Sequence, residues 1–234
     1  MKIESFPRKL FLFRNNLCMF AQTQNELHNM KHMSILAVSL LALVACTPEK
    51  KQEADYSQYV NPMIGTDFTG NTYPGAQVPF GMVQLSPDNG LPGWDRISGD
   101  FYPDTTIAGF SHTHLSGTGA GDLYDISFMP VTRPYKEAPA PLGIYSTFSH
   151  NDEAASAGYY RVLLKDYNIN VELTATERCG IQRYTFPEAE ASVFLNLKKA
   201  MNWDFTLDSK IEVVDSTTIR GYRLSQGWSP LQHV

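Results

Sequence analysis

Apolar and polar side chains alternate along two adjoining segments near the middle of the chain, and this pattern limits the fold more than any other feature. Tyr160, Val162 and Leu164 occupy every second position of the first segment, and the second alternates from Ile169 to Ala175. A two-residue period is that of a β-strand with one buried face, because successive side chains point to opposite faces of a sheet. After Lys165, which continues the first segment, come Asp166, Tyr167 and Asn168, which favour a turn. The pattern therefore predicts an antiparallel hairpin.

The rest of the chain after residue 56 shows similar short apolar runs, broken by glycine, proline, asparagine and aspartate. Sustained 3.6-residue periodicity is almost absent, and one short helical turn within residues 151–157 is the most helix that the pattern permits. Many short strands joined by frequent turns are typical of an antiparallel β-sandwich, so we predict an all-β fold. Further strands are expected at residues 126–131, 144–148, 181–186, 192–197, 211–214 and 218–224.

Residues 61–121 differ from this pattern, since they hold eleven of the sixteen glycines and six prolines. A long segment with little regular structure usually either builds a functional site or is disordered. Seven aromatic side chains lie in this segment between Phe68 and Phe110, and disordered segments contain few aromatic residues. We therefore predict an ordered functional surface.

The most polar part of this surface is the stretch AGFSHTHLSGTGAGD at residues 108–122. His112 and His114 would point the same way on an extended backbone, and the glycines permit a close approach of the main chain to a ligand. Burying so many polar groups without partners would be costly, so we predict the wall of a site for a polar ligand. Three roles stay open for the two histidines. They are hydrogen bonds to sugar hydroxyls, contacts that hold neighbouring loops, and a zinc or copper site with His150 as a possible third ligand.

Trp94 and Asp95 form a second candidate pair, in surroundings rich in glycine and proline. An indole packs on the C–H face of a sugar, and a carboxylate accepts hydrogen bonds from sugar hydroxyls. The alternative is a tryptophan that fills the core, although its neighbours favour an exposed ring. Asp122 and Asp125 precede a predicted strand and are interpreted as turn caps, with a calcium-binding pair as the alternative.

The N-terminus has the features of a targeting signal. Residues 35–44 (ILAVSLLALV) form an apolar run that is too short to span a bilayer but fits the core of a signal peptide. The sequence LVAC, which ends at Cys46, resembles a lipobox, in which the cysteine is lipidated. We therefore predict a mis-started extension at residues 1–29, a lipoprotein signal peptide at 30–45 and a solvated tether at 46–56. The expected location is the periplasm or the outer membrane and cell surface of a Gram-negative bacterium, with the lipid anchor in the outer membrane.

Charge and cysteine content argue against several other classes of protein. The formal net charge is −5, and the scattered lysines and arginines leave no basic face for nucleic acid. With Cys18 in the extension and Cys46 lipidated, Cys179 has no partner for a disulfide. The chain also contains no Gly-x-Ser-x-Gly, Walker or His-Glu-x-x-His motif.

Several motifs in the chain resemble those of glycoside hydrolase family 92. They are NPMIGT at 61–66, PGAQVPFGMVQLSPD at 74–88, GFSHTHLSGTG at 109–119, GDLYDI at 121–126, FSHNDE at 148–153, GYYRV at 158–162, ELTAT at 172–176 and GYR at 221–223. The resemblance runs from about residue 59 to the end of the chain.

This resemblance implies a galactose-mutarotase-like β-sandwich at residues 57–234, which in the family is followed by a catalytic (α/α)₆ barrel. It also implies a calcium-dependent, inverting exo-α-mannosidase that acts on mannose-containing glycans such as N-glycans or mannan. Family members carry the acid, the base and most calcium ligands on the barrel. We therefore assign no catalytic or metal-ligating residue here, and we expect a truncated domain that is inactive alone. Sugar contacts are transferred to Trp94, with Asp95, His112 and His114 at the rim.

Two other functions stay open from the sequence. The sandwich alone could be a carbohydrate-binding surface lipoprotein, which requires that the face meeting the barrel be polar enough to stay soluble. A metal-binding β protein centred on His112 and His114 would instead contain stoichiometric zinc after purification.

Overall fold

The fold is given by a computed structural model, which describes residues 54–117, 119, 121–139, 142–198, 204–228 and 232–233. In this part of the chain the regular structure is almost all β, apart from 3₁₀ turns at Ser57–Tyr59, Trp94–Arg96 and His150–Asp152. The strands are β1 (Ser86–Asp88), β2 (Thr106–Ile107), β3 (Gly109–Ser111), β4 (Ser127–Thr132), β5 (Glu137–Ala138), β6 (Gly143–Ile144), β7 (Ser146–Thr147), β8 (Glu153–Ser156), β9 (Tyr159–Leu164), β10 (Ile169–Ala175), β11 (Gly180–Thr185), β12 (Ala191–Asn196), β13 (Phe205–Val213), β14 (Ile219–Gln226) and β15 (Gln232–His233).

The hairpin predicted from the alternating pattern is confirmed as β9 and β10. The two strands pair antiparallel, with Val171 opposite Val162 and Leu173 opposite Tyr160. These four side chains are buried, whereas Asn170 on the other face is exposed. The two-residue period therefore identified both the strands and their buried face.

Two antiparallel four-stranded sheets form the core, in the strand orders β1-β3-β4-β12 and β11-β10-β9-β8. Phe110 and Val131 of the first sheet belong to the same buried cluster as Tyr160, Ile169 and Val171 of the second sheet. Two sheets that share one apolar core make a β-sandwich, because each sheet buries one face against the other. The predicted all-β sandwich is thus confirmed.

Most of the other predicted strands are also present. Those at 126–131, 181–186 and 192–197 correspond to β4, β11 and β12, each displaced by one residue. The predicted strand at 144–148 is divided into the short β6 and β7.

The structure agrees with the limit of one short helical turn at residues 151–157. A 3₁₀ turn at His150–Asp152 is followed directly by β8, in which Ala155 lies opposite Tyr160 of β9. Pairing with β9 supplies the backbone partners that a helix would otherwise provide internally, so the segment continues as an edge strand.

The segment of residues 61–121 is largely irregular but is tied down by long-range hydrogen bonds. Tyr102 N donates to the Thr66 carbonyl at 2.9 Å, and Gly117 N donates to the Asn71 carbonyl at 2.6 Å. Partners so distant in sequence hold the loops together as one surface, as the aromatic content predicted.

A long hairpin made by β13 and β14 extends the fold. Every residue of its outer part, residues 210–222, is exposed, and we call this part the arm. On one face of the arm Val213 lies opposite Ile219, and on the other Glu212 pairs with Arg220 at 3.0 Å. A two-stranded hairpin is only marginally stable by itself. The arm would therefore be stabilised if another part of a protein packed against its apolar face.

The predicted extension, signal peptide and lipidation site at Cys46 lie outside the described residues, as does most of the tether. The part of the chain that is described contains no helix of the length and apolarity needed to cross a bilayer. Cys179 is exposed and forms no disulfide.

Candidate functional site

The 3₁₀ turn Trp94–Arg96 begins with Trp94, whose side chain is 57% exposed. Gly119 lies directly against the ring, since a Cβ at that position would come within 2.7 Å of the indole Cη2 and 3.2 Å of Cζ2. Only glycine permits this approach without displacing the ring. One edge of the indole therefore contacts the glycine-rich loop, while much of its surface faces solvent, which suits stacking on a flat apolar face.

Arg96 anchors the turn that carries Trp94. Its Nε and Nη2 donate to the two carboxylate oxygens of Asp104, each at 2.5 Å, and its guanidinium lies 4.7 Å from the ring centre of Phe101. A bidentate pair fixes direction as well as charge, so the turn is held in one orientation. Asp95, between Trp94 and Arg96, is partly buried.

His114 is buried, with no exposed side-chain surface. Its Nδ1 lies 2.6 Å from the carbonyl oxygen of Gln84, and its Nε2 lies 2.9 Å from Oδ1 of Asp88. Ser111 Oγ donates to the same Asp88 oxygen at 3.0 Å. Both ring nitrogens are therefore engaged within the protein. Direct contact of His114 with a sugar stays a prediction.

His112 is partly buried and faces other partners. Its Nδ1–H donates to the Ile126 carbonyl at 2.9 Å, and its ring meets that of Phe128 edge-on, with centroids 5.6 Å apart. Gly180 is so close that a Cβ there would come within 2.8 Å of the imidazole Cδ2. Burial lowers the pKa of His112 below its usual range, so the ring is neutral at pH 7. Its predicted sugar contact is likewise untested.

The residues that are described contain no group of three or more His, Cys, Asp or Glu side chains that could hold a metal ion. His150, considered as a third ligand, is used elsewhere. Its Nδ1 lies 2.5 Å from Glu153 Oε2, its Nε2 lies 2.6 Å from the Tyr102 carbonyl, and its ring stacks on that of Tyr102 at 4.0 Å.

A cleft of about 380 Å³ opens on the same loop-rich surface. The hydroxyl of Tyr73, one of its walls, donates to Gln77 Oε1 at 2.7 Å, and the Tyr73 ring lies 5.1 Å from that of His114. Ser116 also lines the cleft and precedes Gly119, the residue against the Trp94 ring, by three positions in the chain. The lining residues are Val60, Asn61, Pro62, Ile64, Thr72, Tyr73, Gly75, Gln77, Pro79, Ser116, Ser156, Ala157 and Gly158.

Residues 121–126 follow the glycine-rich loop in an unfavourable backbone conformation. Leu123, Tyr124 and Ile126 all have positive φ, at 83°, 64° and 57°. This region is rarely adopted by L-residues other than glycine, and least by β-branched ones. Such conformations persist only where tertiary contacts impose them, and the Tyr124 hydroxyl donates to the Ile97 carbonyl beside the Trp94 turn.

Arg223 of β14 supplies further contacts to this segment. Its side chain is fully buried and donates to the carboxylates of Asp125 and Asp204, the latter at 2.6 Å. Its Nη1 also donates to the Leu123 carbonyl at 3.3 Å, and Asp125 accepts from Thr113 Oγ1 at 2.9 Å. Asp125 is therefore an ion-pair partner rather than the simple turn cap that the sequence suggested.

Asp204 carries surplus negative charge in this cluster, since Arg223 has one positive charge for two carboxylates. Burial, together with the neighbouring Asp122 carboxylate, raises the pKa of Asp204 to about 7. Asp122 itself accepts from the backbone N–H of Trp228 at 2.7 Å. Protonated Asp204 therefore leaves the Arg223–Asp125 pair balanced in charge.

We predict that the free energy of unfolding falls as pH rises between about pH 4 and pH 7. The folded-state pKa of Asp204 lies above its unfolded value, so the folded chain binds the extra proton, with a slope of up to about 1.4 kcal/mol per pH unit. Urea unfolding at several pH values measures this slope. Asp204→Asn should flatten it, whereas the exposed Glu188→Gln should leave it unchanged. An equal slope in wild type and Asp204→Asn would mean that another titratable group causes the pH dependence of stability.

Residues 59–234 match the family model described as the glycosyl hydrolase family 92 N-terminal domain. The chain belongs to glycosyl hydrolase family 92. The resemblance found in the sequence motifs is thereby confirmed, over the same part of the chain.

Solved family 92 structures share both fold and sequence with it. An α-mannosidase from Bacteroides thetaiotaomicron, solved alone and with bound mannoimidazole, is 42% identical, with a TM-score of 0.72 over 76% of this chain. An inverting mannosidase from Bacteroides thetaiotaomicron VPI-5482 is 27% identical, with a TM-score of 0.58 over the same share. A curated relative from Arthroderma benhamiae, described as an uncharacterized secreted glycosidase, is 26% identical over 172 residues, which is 69% of this chain.

The family 92 domain described here spans about a quarter of those relatives. It covers 24% of the first Bacteroides thetaiotaomicron α-mannosidase, 23% of the inverting mannosidase and 21% of the Arthroderma benhamiae protein.

Within this family 92 domain, the sequence-based candidates separate into two groups. Trp94 is exposed beside Gly119 and Asp95 is partly buried, whereas His114 lies in the interior and His112 is mostly enclosed. Sequence reasoning missed Asp88, Tyr124 and Arg223 as parts of the site. All three lie in the family 92 motifs, so the motifs could have identified them as candidates. Nothing in the sequence indicated which residues they contact.

Proposed function

We propose that this chain is the N-terminal domain of an exported α-mannosidase that removes terminal α-mannosides from N-glycans or mannan with inversion. The proposal is carried by the exposed indole of Trp94, which is held against Gly119 on the loop-rich surface. Family membership supports it, and so do relatives described as α-mannosidases, one of them with bound mannoimidazole.

In this proposal the domain contributes sugar contacts rather than the acid and base carboxylates. The Trp94 ring packs on the C–H face of a mannose residue, and Asp95 accepts hydrogen bonds from its hydroxyls. Inversion requires two carboxylates far enough apart to admit a water molecule. We assign both carboxylates to the part of the enzyme that follows this domain.

Calcium, expected from the family resemblance, does not fit the carboxylates described here. Asp125 and Asp204 surround the guanidinium of Arg223, which already supplies their positive charge. No group of three or more potential ligand side chains in the described ranges is arranged for a metal ion. We therefore place the calcium site in the remainder of the enzyme and derive no step through it.

The exposed surface of the arm supports the proposal that another part of a protein packs against this domain. Its exposed apolar face carries Ile211, Val213 and Ile219, and such a face is unfavourable in water. We propose that the remainder of the α-mannosidase covers it. The alternative, a stand-alone carbohydrate-binding lipoprotein, would leave this face exposed, and the observation therefore favours the enzyme.

Export is proposed from the targeting segment and its lipidation site at Cys46. The relative from Arthroderma benhamiae, described as secreted, supports export but not the lipid anchor. An outer-membrane anchor would hold the enzyme where glycans are encountered.

The chain alone is expected to be inactive on α-mannosides with calcium, whereas a chimera should be active. In the chimera this chain replaces the matched segment of the Bacteroides thetaiotaomicron α-mannosidase. Trp94→Ala in the chimera should raise KM about tenfold, because the lost stacking and apolar contact correspond to about 1.4 kcal/mol.

Trp94→Phe is the matched control, since it keeps an aromatic face and should lose much less affinity. Thermal unfolding of both variants checks that each remains folded. Activity of the chain alone would overturn the proposed division of labour, and an unchanged KM in Trp94→Ala would remove Trp94 from the site.

A further inference from the structure

The buried pair His114–Asp88 lies where three parts of the site meet. Asp88 ends β1, His114 follows β3, and Gly99 comes from the loop that begins with the Trp94 turn. A Cβ at Gly99 would lie 2.9 Å from the His114 Cδ2 and 3.0 Å from the Asp88 Oδ1. The Trp94 loop therefore packs directly on this pair, with no room for a side chain between them.

The hydrogen bonds of His114 hold its ring from both sides. Nδ1 lies 2.6 Å from the Gln84 carbonyl oxygen, and Nε2 lies 2.9 Å from the Asp88 carboxylate. Neither side chain of the His114–Asp88 pair has any exposed surface. The two side chains restrict each other's geometry, because a buried polar group that loses its partner is costly.

Tyr124 connects the same pair to the Trp94 turn from another side. Its ring meets the His114 ring edge-on, with centroids 5.5 Å apart, and a Cβ at Gly99 would come within 2.8 Å of it. Its hydroxyl donates to the Ile97 carbonyl, just after the turn. A displaced His114 would therefore shift both Gly99 and Tyr124, which together support the turn.

We propose that His114 and Asp88 form a positioning pair that fixes the Trp94 turn, and with it the orientation of the indole against Gly119. The inference rests on the proposed function only in taking Trp94 as the platform for mannose. In this inference the pair acts without contacting substrate, since both ring nitrogens of His114 are engaged by Gln84 and Asp88. It acts through Gly99 and Tyr124, so its loss should loosen the indole rather than remove a sugar contact.

The fluorescence anisotropy of Trp94 tests this proposal without any sugar. In a Trp203→Phe/Trp228→Phe background of the complete chain, Trp94 is the remaining tryptophan. His114→Phe should lower the anisotropy, because the indole gains local motion. His112→Gln is the matched control, since His112 contacts Ile126, Phe128 and Gly180 instead, and it should leave the anisotropy unchanged.

Two further variants keep the proposal testable if His114→Phe does not fold. Tyr124→Phe removes only the hydroxyl, with its hydrogen bonds to the Ile97 and Arg96 carbonyls, and should give a smaller loss of anisotropy. The double variant Asp88→Asn/His114→Gln replaces the pair by two amides that can hydrogen-bond to each other and should restore part of the wild-type value.

The two possible failures are distinguishable. If folded His114→Phe, or folded Tyr124→Phe when His114→Phe does not fold, keeps the wild-type anisotropy, the pair has only a structural role and the inference is wrong. If anisotropy falls but Trp94→Ala leaves KM unchanged in the chimera, the positioning stands and the sugar platform does not.

Discussion

Replacing Arg223 by methionine is expected to lower the free energy of unfolding by about 3–5 kcal/mol. The arginine has no exposed side-chain surface, and its guanidinium is shared by Asp125 and Asp204. Methionine fills a similar volume but leaves the buried Asp125 carboxylate, and the fraction of Asp204 that is ionised, without a counter-charge. Urea unfolding followed by circular dichroism measures the loss.

Arg220→Met is the control on the same strand. Arg220 pairs with Glu212 at the surface, so its replacement should change stability by less than about 1 kcal/mol. Adding Asp125→Asn and Asp204→Asn to Arg223→Met should recover part of the stability, because both unpaired charges are removed. Equal effects of Arg223→Met and Arg220→Met would show that the buried pair is not what holds this region.

Phe110→Ala is expected to destabilise the chain by about 3–5 kcal/mol through the cavity that it leaves in the core. Phe110 is fully buried on β3, opposite Pro87 of β1 and Phe128 of β4. β3 is paired on both sides, with β1 and with β4, so it cannot close the cavity by a small shift. The midpoint of urea unfolding measures the effect.

The exposed Phe80 provides the matched control for Phe110. Phe80→Ala removes the same atoms from a side chain already in contact with water in this chain, so stability should change by less than about 0.5 kcal/mol. A loss of similar size at both positions would mean that the loss reflects the residue type and not the cavity.

The sheets were predictable because their signal is local. Val162, Val171 and Leu173 alternate with polar residues, and burial of one face follows directly from that period. The boundaries of β4, β11 and β12 were displaced by one residue, because a strand ends where pairing with its neighbour ends. Sequence alone does not specify that point.

The site was predictable only in part. The composition around Trp94 indicated an exposed ring, which the structure confirms at 57% exposure. His112 and His114 were expected to point the same way, but an extended backbone was assumed where the chain turns. One ring faces Gln84 and Asp88, whereas the other faces Ile126 and Phe128.

Arg223 shows why the remaining contacts were missed. It lies on β14, whose outer half is exposed, and its partner Asp125 is 98 residues earlier. Nothing in local composition distinguishes it from the exposed Arg220 three residues before it. Only tertiary packing decides which arginine is enclosed.

The left-handed conformations of Leu123, Tyr124 and Ile126 have a consequence for synthesis on the ribosome. Leu123 and Asp125 gain their partner only when Arg223 emerges, about 100 residues later. At 5–20 residues per second this interval lasts roughly 5–20 s. Until then only the earlier contacts with Ile97 and Thr113 offset the unfavourable backbone. We therefore expect the sandwich sheets to form first in the nascent chain, and the face that carries Trp94 to be completed after them.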